Sequence, residues 1–277
     1  MEIITNFLYQ IIFTVGVIVA FGLLIALCHK AFCKIVGENG TKILLITGAV
    51  GTPIHELSHA LMCIVFGHKI IEMKLYQPNS DDGTLGYVNH SFNPKNLYHQ
   101  IGNFFIGVAP ILCGSGVLLL LMYLLVPSIY SEVMSELQFI GLLSTDFFDL
   151  STYAGYFDLF WEIISEIFDF TNSGNILWWI FIVLALMISS HMELSTADIK
   201  GGFKGFLFMA GVLLVADIIL YFVSLSALES VTAAMTSFAL SIASFLAISG
   251  VFSGVMVLIA LAIKGSSSGI SKILNKQ

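Results

Sequence analysis

The sequence predicts an all-α integral membrane protein of about six transmembrane helices, with a small β-hairpin inserted after the second. Three observations predict it. Hydrophobic residues fill 57% of the 277 positions and charged residues only 10%, where soluble domains carry roughly a quarter charged. Apolar stretches of about 20 residues, enough to cross ~30 Å of hydrocarbon, begin near Ile3, Ile43, Ile101, Ile176, Phe203 and Val231. Between the second and third stretches the pattern switches to strict alternation, the period of a strand.

The first segment, residues 1–30, is too long for a signal-peptide core and begins with Glu2 where a basic cluster would stand, so it reads as a retained span. Residues 43–126 hold a polar-marked helix, the hairpin and the next span. In the hairpin, Ile71, Met73 and Leu75 alternate with polar neighbours, "PNSDDG" turns the chain, and a second run ends at Phe92. Residues 127–175 lack lysine but carry eight carboxylates among many aromatics, the pattern of amphipathic helices at a membrane surface or of a solvated connector. Residues 176–264 hold the C-terminal spans, and residues 265–277 read as a flexible tail.

All 11 basic residues are lysines. Putting both termini on the cytoplasmic side of a bacterial inner membrane keeps most of them there, as cytoplasmic loops require, and leaves Lys30, Lys34 and Lys42 outside. The net charge of −7 and the lack of a basic patch exclude nucleic acid as a partner. Cys28, Cys33, Cys63 and Cys113 are scattered through apolar segments and read as small core residues; Cys63 follows His59 by four positions on the same helical stripe.

"GTPIHELSHALMCIVFGH", residues 51–68, places His55, Glu56 and His59 where charged side chains cost roughly 2.5–3.5 kcal/mol. Metal coordination repays that cost. Histidines four apart project from one helical face and can grip one ion, and Glu56 reaches a water on it. One zinc ion suits the donors, lowering the water's pKa and polarising a carbonyl while Glu56 accepts the proton and returns it to the leaving amine. A third ligand must come from the second polar cluster, "SSHMELSTADIKGG", whose candidates are His191, Glu193 and Asp198. Asp198 is the expected ligand, with His191 as a supporting or transition-state hydrogen-bond donor.

The motif "HELSHA" inside a span, "FGHKIIEMKLYQ" after it, a hairpin, "GNFFIGVAPILCG" and a distant aspartate together resemble the site-2 protease family of intramembrane metalloproteases. The resemblance covers roughly residues 43–205 with a gap across the acidic segment. It implies His55, His59 and Asp198 as zinc ligands, Glu56 as base, and a hairpin whose edge holds an unwound substrate by strand addition.

Tyr87, Val88, Asn89 and His90 are the candidate substrate contacts on that edge. Asn103 is a candidate donor to a substrate carbonyl or, alternatively, a helix–helix hydrogen bond. His68 and His99 read as interfacial residues, and Pro53 as a helix start or kink. The expected partners are a membrane protein or peptide substrate, the bilayer, and a separate regulatory or substrate-presenting protein. Two alternatives stay open. One is an enzyme of the prenyl-protein endopeptidase type with Glu193 as third ligand; the other is a non-catalytic zinc scaffold or transporter, which needs no Glu56.

Overall fold

The computed structural model describes residues 2–81, 83–140 and 150–274. It is 82% helical with one two-stranded antiparallel sheet. The helices are α1 (Glu2–Ile11), α2 (Val17–Val36), α3 (Glu38–Val65), α4 (Leu97–Leu125), α5 (Pro127–Ile140), α6 (Leu150–Ile167), α7 (Ile176–Ser189), α8 (Thr196–Val223) and α9 (Leu225–Leu274). Strands β1 (Lys69–Lys74) and β2 (Tyr87–Ser91) lie between α3 and α4. Two short turns of other helix types, Ile12–Gly16 and Phe170–Gly174, complete the described elements.

Among the described residues, four segments are long and apolar enough to cross a bilayer: Glu2–Val36, Leu97–Leu125, Thr196–Val223 and Leu225–Lys264. They account for four of the six expected spans, those that begin near Ile3, Ile101, Phe203 and Val231. The polar residues of the functional motif lower the apolarity of α3 below a span's, and α7, with 14 residues, reaches only about 21 Å at 1.5 Å per residue. Helix α9 is described as far as Leu274. Of the acidic segment, residues 141–149 lie outside the described residues, while α5 and α6 form two helices packed together.

The core runs through the centre of the bundle, where Ile111, Leu118 and Met122 of α4 meet Trp178 and Phe181 of α7 and Phe252 of α9. Because lipid is as apolar as these side chains, close backbone approach and polar contacts must hold the helices together. Both are present. A Cβ on Gly107 of α4 would lie 2.6 Å from the Asp198 carbonyl oxygen, and one on Gly51 of α3 would lie 2.8 Å from the Cβ of His191. These glycines let the starts of α8 and of the loop after α7 approach α3 and α4.

The polar tie lies at α1, α8 and α9. The buried Gln10 amide donates to Asp217 Oδ1 and to Thr232 Oγ1, each at 3.0 Å. Gln10→Leu removes the donor and leaves a buried carboxylate oxygen without it, so we expect a loss of about 1–3 kcal/mol, read as a lower thermal midpoint in detergent.

Candidate metal centre

Helix α3 carries His55 and His59 one turn apart, with Glu56 buried beside them. Pro53 sits inside the helix, three turns from its end, and so is not its start; it removes the N–H that would bond the Ala49 carbonyl. The ring orientations are fixed by main-chain carbonyls. His55 Nδ1 donates to the His191 carbonyl at 2.7 Å, and His59 Nδ1 donates to the Ile106 carbonyl at 2.8 Å. In the neutral rings the proton is therefore on Nδ1 in both, and both Nε2 atoms present lone pairs.

Those two Nε2 atoms lie 3.1 Å apart, facing each other. Two lone pairs at that distance repel unless a cation sits between them. Asp198 supplies the compensating charge from the first turn of α8: its Oδ1 is 3.3 Å from His59 Nε2 and its Oδ2 is 3.9 Å from His55 Nε2. Ligands held 2.0–2.1 Å from a tetrahedral metal ion such as zinc are roughly 3.3 Å from one another; the 3.1 and 3.3 Å separations match that spacing, and the 3.9 Å one, to the other carboxylate oxygen, is longer. His55, His59 and Asp198 are thus a group able to hold one metal ion.

Asp198 also closes a capping box. Its Oδ2 accepts from the Ser195 N–H at 2.8 Å while its own N–H donates to Ser195 Oγ at 3.1 Å. The cap that starts α8 also aims the carboxylate at the histidines. Glu193 is turned elsewhere, with Oε1 3.1 Å from His29 Nε2 on α2.

The other candidate residues make the following contacts. His191 holds His55 through its carbonyl, while its ring bonds Thr47 Oγ1 at 2.9 Å. Asn103 is buried in the α4–α8 contact, against Gly205. Of the hairpin residues, Tyr87 bonds Glu72 across the sheet at 2.6 Å and His90 turns to His68, 3.0 Å between Nδ1 atoms. Val88 and Asn89 pair with Met73 and Glu72 in the register. His68, read from the sequence as interfacial, is buried, and burial above all pushes it and His90 below the usual imidazole range.

The contact of the hairpin region with the motif is made by Gly86, one residue before β2. A Cβ there would lie 2.8 Å from both Glu56 Cγ and Thr52 Cγ2, and 3.0 Å from the Leu75 carbonyl oxygen. Thr52 was legible in principle, since it precedes His55 by three and His59 by seven on one stripe. Nothing in the sequence marks Gly86. His55, Glu56, Gly86, His191 and Glu193 line an open cleft of about 170 Å³, a route for water. On the other side, an apolar cleft of about 390 Å³ between α2, α4 and α8 reaches Asp198.

Compared with protein-family models, curated proteins and solved structures, the chain finds no match.

Gly86→Ala should crowd Glu56 without touching a ligand. Overpacking at this position should cost about 1–3 kcal/mol, read as a lower thermal midpoint, with bound metal per chain unchanged by metal analysis.

Proposed function

We propose that this protein is a membrane-embedded zinc endopeptidase of the site-2 protease type, hydrolysing peptide bonds of membrane-spanning or membrane-adjacent substrates. One observation carries the reading: two imidazole lone pairs, locked face to face by main-chain carbonyls, meet a carboxylate from a remote helix, with a buried glutamate beside them. In the neutral rings both N–H groups are committed to main-chain carbonyls, which leaves the two facing nitrogens as donors to a metal ion.

His55, His59 and Asp198 would hold a zinc ion, which would supply Lewis acidity toward a water and the scissile carbonyl. Glu56 accepts the proton from the attacking water at its carboxylate and passes it to the departing nitrogen. The His191 and Ile106 carbonyls keep the two rings from rotating, and the Ser195 cap does the same for Asp198. The polar cleft admits water while the apolar cleft between α2, α4 and α8 admits a lipid-borne segment.

Peptide bonds in a transmembrane helix are already hydrogen-bonded, so the substrate must unwind before cleavage. In the two-stranded sheet each strand pairs on one side, and the other edge offers replacement hydrogen bonds. Ile71 and Met73 of β1, 66% and 40% exposed, supply an apolar face for it. We place α3 and α7 in the bilayer as embedded helices between the four spans, with the lysine-rich side cytoplasmic.

The direct test is metal removal. Chelator-treated protein in detergent should lose cleavage of a single-span peptide, and added zinc should restore it. Cleavage that persists in metal-free protein refutes the proposal.

A further inference from the structure

We infer that the chain holds a second metal ion, bound by Cys63, His68 and His90, which fastens the hairpin to the end of α3. The inference does not rest on the peptidase reading. It begins with how α3 ends. Gly67 adopts φ +71°, its N–H bonds the Ile64 carbonyl at 3.2 Å, and the His68 N–H bonds the Cys63 carbonyl at 2.8 Å. This is a Schellman ending, which folds the chain back so that the residue after the glycine lies against the one five positions earlier. Cys63 and His68 are thereby brought to one place by local geometry alone.

The third donor comes from the sheet. The antiparallel register sets His90 opposite Ile70, two residues after His68. Its Nδ1 is 3.0 Å from His68 Nδ1, and the sulfur and two nitrogens lie within 4.8 Å of one another. Cys63 is fully buried and His68 is 5% exposed, so their donor atoms face inward.

The tautomer is set as in the first site. His68 Nε2 donates to the His99 carbonyl at 2.9 Å, which leaves Nδ1 with the lone pair in the neutral ring. The His68 ring is clamped on its other side by Phe92, stacked at 4.9 Å and 15°. The His99 ring is excluded as a fourth ligand through Nδ1, because that atom accepts the Asn93 N–H at 3.2 Å. One thiolate and two imidazoles suit zinc or a similar borderline-soft divalent ion, with the fourth position left to water. Bound there, the ion ties β2 to the helix that bears the first motif.

Cobalt reports the two sites separately, because only the second offers sulfur. Full-length protein in detergent, stripped and loaded with Co²⁺, should bind about two ions per chain and show a near-ultraviolet thiolate-to-cobalt charge-transfer band. Cys63→Ser and, independently, His90→Ala should each abolish the band and lower cobalt to about one ion per chain. A protein with His55 and His59 both replaced by Ala should lose about one ion and keep the band. Cys33→Ser, which removes the thiol 3.4 Å from His29 Nε2, should change neither.

Wild-type protein without the band, or a band that survives both Cys63→Ser and His90→Ala, overturns the inference. Failure of the first site shows differently, as loss of the band-free ion alone.

Discussion

Replacing Glu56 with Gln is expected to lower peptide hydrolysis by about 10²–10⁴-fold while leaving bound zinc unchanged. The amide keeps the size and the burial of the side chain but cannot accept a proton. None of the three metal donors is altered, since His55, His59 and Asp198 are oriented by the His191 and Ile106 carbonyls and by Ser195. Zinc analysis on the same sample used for the cleavage assay separates the two effects. Full activity in the Gln variant would mean that the carboxylate has no part in the chemistry and would favour a metal scaffold or transporter.

Asp198→Asn is expected to weaken zinc binding by more than the roughly 10–100-fold typical of a lost supporting hydrogen bond. Asparagine keeps an oxygen that can accept the Ser195 N–H, so the start of α8 stays capped while the negative ligand is gone. Asp198→Ala loses the cap as well and should cost a further ~1 kcal/mol of stability. Glu193→Gln, by contrast, should leave zinc affinity unchanged, because Glu193 faces His29. Competition with a chromogenic chelator measures all three. Zinc lost in the Glu193 variant and retained in the Asp198 variant would shift the third ligand and, with it, the type of enzyme.

The motif on α3 was legible because the α-helix converts a spacing of four into a shared face, whatever surrounds it. The hairpin was legible for the same kind of reason, a period of two bounded by turn residues. The span count was not. Apolar runs begin at both Ile43 and Ile176, but the polar motif lowers the apolarity of α3 and α7 has only 14 residues, while both leave large apolar side chains such as Ile64 and Val183 exposed. His68 looked interfacial because it follows a span in sequence; the turn at Gly67 carries it back under Cys63 instead.

The sequence by itself determined what is local: that α3 offers two imidazoles and a carboxylate, that a hairpin follows, and that the chain is built for lipid. Only the tertiary structure decided the long-range pairings. Asp198 instead of Glu193 faces the histidines because the Ser195 cap and the tight α4–α8 approach at Gly107 set the angle of one carboxylate. The two Nε2 atoms are bare because carbonyls 47 and 136 residues away take the protons on the other side of the rings. Contacts across such distances depend on how helices pack, and packing leaves no period in the chain.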